Sequence, residues 1–169
     1  MSERSGSPER RPTGIAGLDQ ILEGGLLIAG VYIVQGPPGA GKTILANQAC
    51  FTHAAAGGHA VYVTLLAESH SRMFAHLRRM AFFDESAIPE RVYYIGGYSV
   101  LEADGLDALL TLIRGAIQKH QATLLVVDGL VSAHESSPTD RHAHRRPLAR
   151  TARHAVRGVR QVALSGARR

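Results

Sequence analysis

The chain has 169 residues, of which 45% are hydrophobic and 20% charged, and this balance excludes a disordered or collagen-like protein. Its net charge of +5 comes from residues 141–169, which carry nine Arg and no acid, whereas residues 1–140 have ten Lys and Arg against fourteen Asp and Glu, a net −4. The body therefore gives no electrostatic indication of nucleic-acid binding.

The first twelve residues, MSERSGSPERRP, are polar and predict a flexible leader without the apolar stretch of a secretory signal. Nowhere does an apolar run approach the roughly 20 residues of a membrane-spanning helix. We therefore expect a cytoplasmic protein with no membrane partner. Residues 13–26, TGIAGLDQILEGGL, place apolar residues at helical spacing before a glycine pair, which predicts a short helix and a turn.

Strand and helix patterns alternate through the body, residues 13–140. Runs of β-branched and aromatic residues predict four strands, at residues 31–35, 60–66, 92–95 and 123–127. Apolar residues at helical spacing predict three longer helices, over residues 42–56, about 73–81 and about 106–117. Such alternation indicates a mostly parallel sheet with helices on both faces, so the predicted fold class is α/β.

Several single residues have expected places in this fold. Cys50 cannot form an internal disulfide and is expected to be a small core residue. Met80 is expected on the buried face of the second long helix. The nine histidines show no metal-ligand spacing and are expected at the surface.

One motif carries chemistry. Residues 36–43, GPPGAGKT, fit G-x-x-x-x-G-K-[ST] between a predicted strand and a predicted helix. The glycines let backbone N–H groups turn toward phosphate oxygens, and the helix start adds partial positive charge. We predict that this loop binds ATP or a related triphosphate, through Gly36, Pro37, Pro38, Gly39, Ala40, Gly41, Lys42, Thr43 and Ile44.

Four side chains have predicted roles. Lys42 would reach the β- and γ-phosphates and act in catalysis, and the Thr43 hydroxyl would hold Mg²⁺. Asp128 closes a buried apolar run, which places it at the carboxyl edge of the sheet, where it would hold Mg²⁺ beside Thr43. The alternative for Asp128 is a loop aspartate that caps the next segment. Glu68 is the candidate for orienting the attacking water, and a solvated surface glutamate is its alternative.

Over residues 11–140 the chain resembles the KaiC/RecA-like group of ATPases. The resemblance rests on the leader pattern TGI-x-GLD-x-x-x-x-GG from residue 13, on GPPGAGKT at 36–43 and on LLVVD at 124–128. It implies a RecA-type core that binds ATP and Mg²⁺ at the subunit boundaries of a homo-oligomeric ring or filament, commonly a hexamer. Members of the group act in clock timing, signalling or DNA recombination.

Two departures leave the function open. Relatives carry two adjacent glutamates after the second strand, where this chain has Leu66 and Ala67, with Glu68 one place later. The chain is therefore an ATPase domain, a nucleotide-dependent assembly or signalling module without significant turnover, or a RecA/RadA-like DNA-repair ATPase. The second departure is that the family pattern stops near residue 140.

After residue 140 no strand pattern completes the sheet, so we expect a core whose C-terminal strands are missing and whose sheet edge is exposed. Residues 141–169 are either a genuine basic tail that binds nucleic acid or anionic lipid, or an out-of-frame translation. The chain has only two lysines, Lys42 and Lys119, against many Arg, Ala and Gly. That usage indicates GC-rich codons and favours the frame shift.

Overall fold

The computed structural model describes residues 9–66 and 70–129 and the backbone of residues 161–167. Its main strands are β3 (Gly30–Gly36), β4 (Ala60–Thr64), β5 (Val92–Gly96), β6 (Leu124–Asp128) and β7 (Gln161–Ala167). They form one sheet in the order β3-β7-β6-β4-β5, and every neighbouring pair is parallel. A separate antiparallel ribbon pairs β1 (Arg10–Arg11) with β2 (Leu26–Leu27).

Helices cover both faces of this sheet. The helices of the domain are α1 (Ala16–Ile21), α2 (Lys42–Ala55), α3 (His70–Leu77) and α4 (Tyr98–His120), with a short 3₁₀ turn at Glu85–Ala87. Of these, α4 covers one face of the sheet and α2 the other. None of the helices within the described ranges combines the length and the apolar character that crossing a bilayer requires. The α/β class predicted from the sequence is confirmed.

The core alternates along the central strands because successive side chains of a strand point to opposite faces. One face packs against α4, through Val61, Val63, Leu125, Val127, Leu109 and Ile113. The other face packs against α2, through Tyr62, Leu124, Val126, Ala46, Cys50 and Phe51. Both β4 and β6 are buried along their whole length, as expected of parallel strands covered on both sides. Cys50 is a core residue, as predicted.

The helices differ from their predicted bounds in two places. The second long helix ends at Leu77, so Met80 lies beyond it and is 37% exposed rather than buried. The third, α4, is interrupted at Gly105, whose φ of 79° and ψ of −170° are outside the helical region. Glycine populates positive φ without a side-chain penalty, and the predicted helix over residues 106–117 lies after this interruption.

The sheet contains one strand, β7, that the sequence did not predict. It pairs with β3 along Gly30–Gly36 and with β6 along Leu124–Asp128. The expectation that no strand follows residue 140 is therefore wrong for residues 161–167, and β6 does not form the edge of the sheet. A strand in this position gains hydrogen bonds on both sides, so its placement does not depend on a long apolar run of its own.

His53 on α2 is buried, contrary to the surface position expected for the histidines. It is 2% exposed, and its Nε2 lies 2.8 Å from the Thr123 hydroxyl. The Arg11 guanidinium also contacts the imidazole ring. Burial and then the charge of Arg11 lower the pKa of His53 to about 4, so the ring is neutral near pH 7.

The pH dependence of stability follows from this pKa. An ordinary histidine, as in the unfolded chain, has a pKa of about 6.5. Between about pH 4 and pH 6.5 the unfolded chain therefore binds a proton at His53, whereas the folded protein does not. The stabilisation is complete above about pH 6.5 and falls by at most about 1.4 kcal/mol per pH unit as the pH drops toward 4. We expect His53→Gln to show a shallower fall than wild type in denaturant unfolding at pH 7 and 5. The exposed His76, changed to Gln, is the control, and equal slopes for His53→Gln and wild type would contradict the assignment.

Candidate functional site

The glycine-rich loop of residues 36–43 joins β3 to α2, the context that was predicted for it. Gly36 ends β3 and Lys42 begins α2, and the residues between them are exposed. Gly39 and Gly41 have φ angles of +79° and +82°, which side chains disfavour and glycine adopts readily. A Cβ at either position would meet no atom within 4 Å. Backbone conformation, and not crowding, therefore explains these two glycines.

Lys42 folds back over the loop that precedes it. Its Nζ donates to the carbonyl oxygens of Gly36, at 3.0 Å, and Pro37, at 2.9 Å. A phosphate would offer charged acceptors, which form stronger hydrogen bonds with an ammonium group than neutral carbonyls do. Thr43 and Ile44 follow in the first turn of α2, where backbone N–H groups have no acceptor within the helix. The loop and the first turn of α2 thus bring one cation and backbone N–H donors close together.

Asp128 and Thr43 meet although they are 85 residues apart in the chain. Asp128 ends β6 and is 7% exposed, and its Oδ2 accepts a hydrogen bond from the Thr43 hydroxyl at 2.9 Å. Both side chains lie at the carboxyl edge of the parallel sheet, where ligands of open α/β folds bind. A hydroxyl and a carboxylate are oxygen ligands of the type that Mg²⁺ prefers. The pair fits the ion that was predicted between them.

A second hydroxyl reaches the same carboxylate oxygen. Tyr62 on β4 is fully buried and donates to Asp128 Oδ2 at 2.8 Å. Burial, followed by the charge of Asp128, raises the pKa of Tyr62, so the phenol keeps its proton and remains a donor. Asp128 is thereby held by hydroxyls from two different elements, α2 and β4.

A cleft of about 300 Å³ opens beside Thr43 and Asp128. Its lining includes Thr64 at the end of β4, Leu66, and His70 and Arg72 on α3. Burial lowers the pKa of His70, and its Nε2 has no hydrogen-bond partner within the described ranges. The cleft has the size of a small-ligand site and adjoins the glycine loop.

The water-orienting residue predicted from the sequence, Glu68, lies between the described ranges 9–66 and 70–129, and its role stays a prediction. Leu66, two places before Glu68, is described. It lines the cleft and is 38% exposed. A leucine can neither accept a proton from water nor orient it. If the chain hydrolyses ATP, that group must come from elsewhere.

The fold and the loop together define the class of protein. A parallel sheet covered on both faces, a glycine loop between β3 and α2, and Asp128 at the end of β6 are the parts of a RecA-like P-loop ATPase domain. The model of the KaiC ATPase family matches residues 11–164. The chain therefore belongs to the KaiC family of ATPases, and the match extends into β7.

Curated relatives agree with this family. A UPF0273 protein of Thermotoga maritima is 28% identical over 147 residues, covering 77% of this chain and 59% of its own length. The DNA repair and recombination protein RadB of Halobacterium salinarum is 35% identical over 120 residues, covering 70% of this chain and 48% of its own. A UPF0273 protein of Saccharolobus solfataricus is 31% identical over 147 residues, covering 77% and 51%. The chain spans about half to three fifths of these relatives.

The structure adds residues to the site that sequence reasoning missed. Tyr62 was assigned only to a strand, and its contact with Asp128 joins two strands that lie far apart in the sequence. The one available signal was a tyrosine inside a fully buried strand, since a buried phenol needs a hydrogen-bond partner. Thr64, paired in register with Asp128, was missed because its position depends on how the strands pair. His70 was missed because its position depends on how α3 packs beside the sheet.

Proposed function

We propose that this domain binds ATP with Mg²⁺ through the loop of residues 36–43. The observation that carries the proposal is the 2.9 Å hydrogen bond between Thr43 and Asp128, which joins the loop to the carboxyl edge of β6. Lys42 would leave the loop carbonyls for the β- and γ-phosphates, and the backbone N–H groups of the loop and of the α2 start would donate to phosphate oxygens. The Thr43 hydroxyl and the Asp128 carboxylate would hold Mg²⁺, which would neutralise part of the phosphate charge.

Binding of a fluorescent ATP analogue, with and without Mg²⁺, tests this proposal directly. We expect saturable binding that strengthens when Mg²⁺ is added and that unlabelled ATP competes away. The preference for ATP over GTP comes from family membership, and competition by each nucleotide measures it. No binding at millimolar nucleotide would contradict the proposed function.

Hydrolysis is the second part of the proposal, and Glu68 is the residue we assign to it. A positioned general base contributes about 10²- to 10⁴-fold to a rate. We therefore expect Glu68→Gln to lower ATP turnover by a factor in that range while nucleotide affinity stays the same. The exposed Glu90, changed to Gln, is the matched control. Equal turnover in wild type and Glu68→Gln would exclude Glu68 from catalysis.

The leucine at position 66 favours a second candidate function, a nucleotide-dependent assembly or signalling module without significant turnover. In that case ATP binding would organise a homo-oligomer, as the family commonly forms rings, and hydrolysis would be incidental. Light scattering with ATP and with a non-hydrolysable analogue separates the two candidates. Equal assembly with both nucleotides, together with turnover near background, supports the module.

The likeness to RadB favours a third candidate, an ATPase that acts on DNA. The nine arginines of residues 141–169 agree with it, whereas the net −4 of residues 1–140 opposes it. A DNA-binding role predicts affinity for duplex DNA that falls steeply between about 50 and 200 mM salt. Replacing Arg141, Arg145 and Arg146 by Gln should then flatten the salt dependence. Absence of binding at the lower salt concentration would exclude this candidate.

A further inference from the structure

A chain of buried and partly buried side chains connects the two proposed magnesium ligands by a second route. The Thr43 carbonyl accepts a hydrogen bond from Asn47 Nδ2 at 2.8 Å, and Asn47 Oδ1 accepts one from the Tyr94 hydroxyl at 2.6 Å. The Tyr94 ring lies 5.2 Å from the Tyr62 ring, centroid to centroid. Tyr62 then donates to Asp128. The route runs from α2 through β5 and β4 to β6.

Two members of this route lie in the core. Asn47 and Tyr62 are both 0% exposed, among apolar residues of α2 and the central strands. A phenylalanine would fill the same space in such a core, and a buried phenol is costly unless its hydroxyl has a partner. The hydroxyl of Tyr62 therefore calls for an explanation that packing alone does not give.

The geometry at Asp128 supplies that explanation. Two hydroxyls, from Thr43 and Tyr62, donate to the same oxygen, Oδ2. Two donors at one oxygen fix the plane of the carboxylate, so Oδ1 is held in one direction. At the other end of the route, Asn47 ties the first turn of α2, which carries Thr43, to Tyr94 on β5.

We propose that Tyr62 is a positioning residue for the magnesium site, with Tyr94 and Asn47 supporting it. Tyr62 orients the Asp128 carboxylate, and Asn47 holds the helix turn that presents the Thr43 hydroxyl. The inference rests on the proposed function, since it concerns how the same site holds its ion. Removal of a residue that hydrogen-bonds to a metal ligand and fixes its orientation commonly lowers metal affinity by about 10- to 100-fold.

The test is a Mg²⁺ titration of Tyr62→Phe in the presence of a fluorescent ATP analogue. The variant removes one oxygen and keeps the ring. We expect the Mg²⁺ concentration for half-maximal effect to rise about tenfold, while affinity for the analogue in EDTA stays the same. A purely structural role would instead change both affinities together or neither.

Tyr93→Phe is the matched control, because Tyr93 is the neighbour of Tyr94 on β5 and its hydroxyl donates to the Glu90 carbonyl, away from the site. It should leave the Mg²⁺ titration unchanged. Tyr94→Phe, which removes the donor to Asn47, should shift the titration in the same direction as Tyr62→Phe. It provides the measurement if Tyr62→Phe does not fold.

The outcomes separate this inference from the proposed function. If Tyr62→Phe folds and shows the Mg²⁺ dependence of wild type, the positioning role is overturned and nucleotide binding stays intact. If Tyr62→Phe does not fold, a wild-type Mg²⁺ dependence of Tyr94→Phe has the same meaning. Failure of the unaltered protein to bind the analogue at all overturns both. A selective shift in the Mg²⁺ requirement, absent in Tyr93→Phe, supports the assignment.

Discussion

Lys42→Ala is expected to weaken ATP binding by about 10- to 150-fold. A hydrogen bond to a charged group contributes about 1.5–3 kcal/mol, and each 1.4 kcal/mol is a factor of ten in Kd. Lys42 sits at the start of α2 with its ammonium over the loop, so the loss should appear with or without Mg²⁺. Titration of the fluorescent ATP analogue into wild type and variant measures it.

The chain provides a close control for this experiment, since Lys119 is its other lysine. Lys119 lies exposed in the last turn of α4, so Lys119→Ala removes the same charge away from the loop. Its nucleotide affinity should match that of wild type. Equal weakening in both variants would mean that net charge, and not the loop, governs binding.

Ending the chain after residue 160 is expected to abolish cooperative folding. The shortened chain lacks β7, which hydrogen-bonds to β3 on one side and to β6 on the other. Without β7, β3 has no partner in the main sheet. The facing edges of β3 and β6 lose their backbone hydrogen bonds. Circular dichroism during thermal unfolding measures the loss, and we expect no cooperative transition.

A chain ended after residue 167 is the control for this truncation, because it keeps all of β7. Its unfolding transition should coincide with that of the full chain. The opposite result, a cooperative and unchanged transition in the chain ended after residue 160, would show that β7 contributes nothing. It would also favour the hypothesis that residues 141–169 are an out-of-frame product without a role.

Most of the sheet could be predicted from the sequence because its strands are continuous apolar runs. The runs in β4 and β6 are buried on both faces, so their hydrophobicity does not alternate and each is recognisable on its own. β7 lacks that signal, because its longest apolar run has only three residues, Val162, Ala163 and Leu164. Its place is fixed by two neighbouring strands, which are distant in sequence.

The sequence predicted the loop and Asp128 of the site, but not the side-chain hydrogen bonds that link the residues around them. The glycine loop is a local pattern, and Asp128 was found because strand ends in α/β folds gather at one edge. The hydrogen bonds of Tyr62 and Asn47 depend on strand order and on side-chain direction. Neither can be derived from spacing along the chain, which is why the polar route behind Thr43 and Asp128 was not expected.

The position of β7 also affects the order in which the domain can be built during translation. The loop follows β3 and Asp128 ends β6, but the strand between them is made later, across the 39 residues from 129 to 167. At 5–20 residues per second, the ribosome needs roughly 2–8 s for that stretch. Until then β3 and β6 are not joined, so the nascent chain should bind nucleotide only after β7 has emerged.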